Sequence, residues 1–396
     1  MVGDYPKNRT WAEIDLDALA NNARYIVSRV RPGTELMGVV KGDAYGHGAY
    51  ETAVTLLENG YTRLAVSLVD EGIYLRRRGI TAPILILTYT DPVRAVDVVK
   101  YRLTQTLFSH DLTEALDRAA AEQKTTASVH VKVDTGMGRI GLFSGFGSVE
   151  DVQQMFGRSH LAVEGIFTHF ATADEPDFSF MALQFERFVS VCRELESSGL
   201  YLPLKHCCNS AALLRHPEMH MDMVRPGLIN YGLLPMPDPA AAAHLQPVMS
   251  LHSRVMLTKT LHSGDSVGYN RAFVAPGNRR VATVPVGYAD GYSRTMTGRA
   301  EALVHGLRVP VIGKICMDAC MLDVTEVPEP VVAGDEVVLL GRQTYQDRVG
   351  EITAYELGDW RQSICYEATS VVGKRVPRFF IKGGATVSVG ADLLAL

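Results

Sequence analysis

The chain has 396 residues, 47% hydrophobic and 21% charged, with 35 glycines and a formal net charge of -5. That is an ordinary globular composition, long enough for a large core plus a second domain, and it excludes a disordered or fibrous protein. Lys and Arg are spread along the chain with no basic stripe, so the expected partners are small molecules or a second copy rather than nucleic acid.

The opening stretch MVGDYPKNRTW carries Asp4 and no apolar segment behind a basic patch, so an export signal is not expected. No run approaches about 18 uncharged apolar residues, and a membrane span is not expected either. Cys192, Cys207, Cys208, Cys316, Cys320 and Cys365 are sparse for so long a chain, which argues against a disulfide framework and for a reducing cytoplasm. Cys316 and Cys320 lack a second pair at ligand spacing and sit beside Met317 and Met321, so no metal site is read there.

From residue 12 onward the pattern is repetitive. Leu16, Leu19, Ala20 and Ala23 form one apolar helical face, and Leu36 to Val40 reads as a strand. Helical and strand patterns then alternate: Ala49 to Asn59 helix, Arg63 to Ser67 strand, Val69 to Arg78 helix, Ile84 to Leu87 strand. Further strands fall near Thr104 to Phe108, Ser128 to Val133, Leu161 to Phe167 and Met223 to Val224. About eight such units over roughly 225 residues predict an α/β fold, a closed (β/α)8 barrel, rather than an open sheet.

The stretch LMGVVKGDAYGHG places Lys41 directly after an apolar strand and before a Gly-rich turn. A lysine there snorkels, pairs, or loses its proton and becomes an amine nucleophile, and the local sequence leaves all three open. Lys41, Lys132, Asp134, Arg139, His169, His206, Asn209, Ser210 and Arg225 all follow apolar runs. In a barrel this places them together on the C-terminal face.

Pro235, Pro237 and Pro239 interrupt the pattern as a stiff spacer. Beyond them come short strands with Gly, Asp and Pro turns, then a helical insert over Ile352 to Ile364 and a late strand over Arg375 to Phe380. The expected organisation is a barrel over 12–240, a mainly β domain over 245–385, and a weakly patterned tail over 386–396 with no assigned role.

The segments VVKGDAYGHG, VKVDTGMGRIG, THFATAD, HCCNSAA, VRPGLINYG, PVGYADGYSR, GKICMDACMLDV and the late CYE occur in order across nearly the entire chain. In this they resemble the alanine racemase family, of pyridoxal-phosphate fold type III. The resemblance implies a barrel followed by a β domain, with the strand near Trp11 to Asp15 crossing into that domain. It also implies a homodimer that interconverts L- and D-alanine through a pyridoxal-phosphate aldimine, supplying D-alanine for peptidoglycan.

By the same resemblance Lys41 is the Schiff-base lysine. Tyr45, Asn209, Ser210, Gly227, Leu228 and Tyr366 hold the cofactor, Ser210 being equally readable as a helix N-cap. Arg225 faces the pyridine nitrogen with His206 behind it. An arginine can only donate there, which leaves that nitrogen neutral and disfavours side reactions. Tyr288 is the second base, entering from the partner subunit with His169 as its proton-network partner. Arg139 and the Met317 N–H take the substrate carboxylate, and Asp318 lies beside them. Lys132 is either carbamylated, orienting Arg139, or ion-paired with Asp134 at the surface. The departures are Gly42 and Asp43 after the lysine, where a small residue and asparagine are usual, and Cys208 next to Asn209. Serine or a broader amino-acid range, and an amino-acid decarboxylase on the same fold, are the competing activities. Arg225 speaks against the decarboxylase, which uses an acidic pyridine partner.

Overall fold

A computed structural model describes residues 6–143 and 148–390. Its described part divides into two compact units. One consists of Leu19–Ala44 and Ala49–Gln246; the other gathers the N-terminal stretch through Ala18, Tyr45–Gly48 and the chain from Pro247 on.

The first unit is the barrel. Parallel strands run in the order Met223–Val224, Glu35–Val39, Arg63–Val66, Ile84–Ile86, Thr104–Leu107, Ala127–Asp134, Leu161–Phe167 and Leu204–His206. The two end strands approach each other through Asp222 N–H to Lys205 O at 3.1 Å and Arg225 N–H to Cys208 O at 3.0 Å, so the barrel is nearly closed. Leu204–His206 is the strand that the apolar pattern did not single out. It is three residues long and its run continues into polar Asn209 and Ser210, which hides the period of two.

Local chemistry starts and stops the helices. Asp15 accepts from the Asp17 and Ala18 N–H groups, both at 2.9 Å, and so caps the Leu16–Arg29 helix, whose Leu19, Ala23 and Ile26 are fully buried. The proline-rich break contains one short helix, Pro239–Ala242, with Asp238 as its N-cap and Pro239 at its first position.

The second unit is built on an eleven-stranded sheet among the described residues. Thr10–Asp15 lies inside it, antiparallel to Met249–Arg254 and parallel to Arg378–Lys382. The helical insert is two helices, Ala354–Arg361 and Cys365–Ser370. Gln362 in the left-handed region (φ 60°) separates them. Ile352 ends the preceding strand instead. The tail also differs from expectation, because Ala385–Gly390 pairs with Arg378–Lys382 as an edge strand. Residues 391–396 lie outside the described residues.

Candidate active site

Lys41 leaves the barrel strand through an unusual turn. Gly42, Asp43, Ala44 and Tyr45 all have φ between 52° and 61°, three of them without the freedom of glycine. A left-handed turn of L-residues costs roughly 1–2 kcal/mol per residue, so it persists only where its surroundings hold it. Glu71 does part of this, accepting from Gly42 N–H at 2.6 Å and from Ser67 N–H and Leu68 N–H at 2.7 and 3.0 Å. Ala44 N–H also reaches Val40 O at 2.9 Å, and Asp43 accepts from Ala49 N–H at 2.8 Å. The charge of Asp43, a departure from the family pattern, is thus engaged at the start of the Ala49–Glu58 helix.

Burial lowers the Lys41 pKa, and the Arg139 guanidinium lowers it further, while Glu71 works in the opposite sense. The outcome is an amine that gives up its proton more readily than an exposed lysine.

Behind Lys41 lies a buried chain of nitrogen groups. Arg225 donates to His206 Nδ1 at 2.8 Å, to Thr168 O at 2.9 Å, to Cys207 O at 3.1 Å and to His169 Nδ1 at 3.3 Å. Because Arg225 can only donate, the proton of His206 sits on Nε2, where it is donated to His130 Nδ1 at 2.8 Å. His130 then carries its own proton on Nε2, which has no hydrogen-bond partner among the described residues. Burial first, then neighbouring arginines, drives His130 down to about 3; burial and Arg225 likewise hold His206 and His169 well below the usual histidine range. Burial lowers Arg225 to about 10, which still leaves a cation at neutral pH. The Phe167 ring stacks on His206 at 4.8 Å, and Arg225 and Lys132 lie over it at 5.3 and 4.9 Å.

Lys132 is 2% exposed and, among the described residues, its Nζ hydrogen-bonds only to the Val133 carbonyl, at 3.4 Å. The surface pairing with Asp134 is absent. Asp134 Oδ1 instead accepts from Gly136 and Gly138 N–H, shaping the loop that carries Arg139. Burial, Arg225 and Arg139 press the Lys132 ammonium to lose its charge, and the Asp134 carboxylate opposes them without prevailing.

Asn209, not Ser210, is the N-cap of the Ser210–Arg215 helix, accepting from Ala212 N–H at 3.0 Å. This leaves the Ser210 hydroxyl to accept from Gly227 N–H at 3.0 Å. Gly227 in turn precedes Leu228–Tyr231, a helical turn whose first N–H groups have no acceptor within the turn. The thiols of Cys207 and Cys208 are fully buried and donate to Met219 O at 3.3 and 3.2 Å.

The second unit holds the other candidates. Tyr288 and Met317, 39% and 51% exposed, sit on two loops joined by Tyr288 N–H to Cys316 O and Ala289 N–H to Met317 O, both at 3.1 Å. A Cβ on Gly287 would fall 2.3 Å from Cys316 O, so only glycine permits this approach. Asp318 accepts from Arg375 at 2.7 Å. Tyr45 and Tyr366 have ring centroids 6.5 Å apart, and burial pushes the Tyr45 phenol up to about 12, keeping it a neutral donor.

Sequence reasoning missed Glu71 and His130. Glu71 is an ordinary helix-start carboxylate in the sequence, whereas His130 was findable: it is two residues from Lys132 and therefore on the same face of the strand.

A nearly closed (β/α)8 barrel with a buried arginine and a desolvated lysine at its C-terminal mouth, continued by a β-sheet unit, defines a two-domain barrel enzyme class. The alanine racemase N-terminal domain model matches residues 14–235 and the C-terminal domain model matches 248–380. The alanine racemase of Clostridium tetani is 41% identical over 381 residues, 96% of this chain and 97% of its own. Among solved structures, alanine racemase of Clostridium difficile 630 superposes with a TM-score of 0.93 at 35% identity, over 98% of this chain and 100% of the other. That of Bacillus anthracis with bound L-Ala-P gives 0.90 at 35% identity, over 99% and 100%. The chain belongs to the alanine racemase family.

Proposed function

We propose that this chain interconverts L- and D-alanine with pyridoxal 5'-phosphate, in the cytoplasm and as a homodimer, and that its D-alanine serves peptidoglycan synthesis. The observation that carries the reading is Lys41: a desolvated amine, crowded by Arg139, at a strand end of a barrel whose family is alanine racemase. The donor set suits the cofactor. Gly227 N–H fixes the Ser210 hydroxyl, whose own O–H and the Leu228 N–H offer neutral donors for a phosphate, and Arg225 offers a fixed cationic donor for a ring nitrogen. When bound, pyridoxal phosphate supplies the electron sink that lets an α-proton leave carbon.

The residues divide the remaining work. Lys41 takes or returns the α-proton on the D side, and the Tyr288 phenol of the partner subunit does so on the L side. Exposure of Tyr288 and Met317 on one loop pair supports their use by a partner. Arg139 and the Met317 N–H hold the carboxylate, with Asp318 beside them. By the family resemblance Tyr45, Asn209 and Tyr366 are further cofactor-binding residues, and His169 and His206 fix Arg225. Lys132, buried with no carboxylate in hydrogen-bond contact and with Asp134 acting on it only through space, is assigned as carbamylated, which turns an unfavourable buried cation into an anion able to orient Arg139.

Incubating cofactor-loaded protein with separate L-amino acids, followed by chiral analysis, tests the activity. Formation of D-alanine supports it; a decarboxylated amine, or inversion of serine but not alanine, overturns it.

A further inference from the structure

The carboxylate of Asp290 is completely buried, two residues after Tyr288, and has no part in the proton transfers assigned above. Arg9 holds it with two parallel bonds, NH1 to Oδ1 at 2.8 Å and NH2 to Oδ2 at 2.9 Å. Arg375 adds Nε at 3.4 Å from Oδ1 and spends its NH2 on Asp318 at 2.7 Å. Oδ2 also accepts from Gly287 N–H at 3.0 Å, and the Asp290 carbonyl accepts from Gly373 N–H at 2.9 Å. One buried anion therefore joins the N-terminal segment, the turn carrying Tyr288, the segment around Gly373 and, through Arg375, the loop carrying Met317 and Asp318.

Ion pairs removed from water seldom add net stability over apolar packing of the same shape, so their worth here is geometric: the bidentate fork has one arrangement. We propose that Asp290 is a positioning residue for Tyr288, fixing the Gly287–Gly291 turn against Cys316 and Met317 through Arg9 and Arg375. The inference rests on the reading of Tyr288 as the L-side base and names the residues that make that base rigid.

The test uses cofactor-loaded enzyme in heavy water, following α-deuterium uptake from pure L-alanine and pure D-alanine. Misplacing a reacting group by about 1 Å costs on the order of 100-fold, so Asp290→Asn is expected to slow L-alanine exchange by about 10- to 100-fold and leave D-alanine exchange within about two-fold. Added to Tyr288→Phe, Asp290→Asn produces no further loss on the L side. Amide hydrogen exchange at Tyr288 and Ala289 rises in the same variant. Equal loss from both enantiomers, additive loss with Tyr288→Phe, or unchanged amide protection overturns the proposal. Should Asp290→Asn fail to fold, Arg375→Gln, at a partly exposed position, loosens the same link and is judged by the same outcomes. If Tyr288→Phe itself leaves L-alanine exchange intact, the base assignment falls, while amide protection still decides whether Asp290 holds the turn.

Discussion

Arg225 NH1 donates to His206 Nδ1 at 2.8 Å inside the barrel, where neither group meets water. The guanidinium consequently sets the proton position of His206 and, one step on, of His130. His206→Phe keeps a ring against Phe167 but leaves an Arg225 N–H and His130 Nδ1 unpaired. Hydrogen bonds to charged groups are worth about 1.5–3 kcal/mol, so a stability loss in that range is expected in urea titration of the cofactor-free protein. A variant as stable as the parent would show that the pair is not energetically coupled.

The partition between reactions should follow the charge of residue 225. With Arg225→Glu, an acid replaces a group that can only donate, and side reactions are expected to grow at the expense of racemisation. Pyruvate release measured against D-alanine formation decides this, and a parental ratio would contradict the role given to Arg225.

Acid should weaken the barrel through its buried histidines. His130 falls from an ordinary value of 6.5 to about 3 on folding, so between those pH values the unfolded chain binds more protons. Stability from this group is complete above about pH 6.5 and is lost as pH falls toward 3, at up to about 1.4 kcal/mol per pH unit. The urea midpoint is expected to drop between pH 7 and 5, and to drop less in His130→Asn, which can still accept from His206. Identical slopes for the two proteins would exclude His130 as a source.

Glu71 governs both the shape and the charge of the Lys41 turn. Glu71→Ala removes the acceptor of Gly42, Ser67 and Leu68 N–H, with an expected loss of about 1–3 kcal/mol. It also removes the carboxylate that favours the Lys41 ammonium, so the Lys41 pKa moves still lower. Borohydride trapping of the cofactor with peptide mapping should mark Lys41 in the parent, and the pH dependence of trapping should shift downward in the variant. Label on another lysine would remove Lys41 from its role.

The proposed roles of Lys41 and Tyr288 assign them opposite handedness. Tyr288→Phe should retain α-deuterium exchange from D-alanine, while exchange from L-alanine falls by about 10² to 10⁴, the usual contribution of a positioned acid–base group. Mixed Lys41→Ala and Tyr288→Phe chains should regain activity on subunit exchange, because one site of the heterodimer is intact. Demonstrated exchange without recovery would place both residues in one subunit's site.

What the sequence determined by itself was periodic or contiguous. Alternating strand and helix patterns marked the barrel, an apolar run ending in Lys41 marked the mouth, and proline at 235, 237 and 239 marked the change of texture. These are legible because side-chain period and turn chemistry act between neighbours in the chain. Arg225 was read with His206 behind it, but only through the family resemblance; Asn209 as the cap, Ser210 as the acceptor of Gly227, and burial of Lys132 without a hydrogen bond to Asp134 appeared only with the strands assembled. The tertiary structure alone decided the pairing of Arg9 with Asp290, 281 positions apart. Thr10–Asp15 carries Arg9 there by pairing with Met249–Arg254 and Arg378–Lys382, and such a register is chosen by the joint burial of whole strands rather than by any local preference of the residues involved.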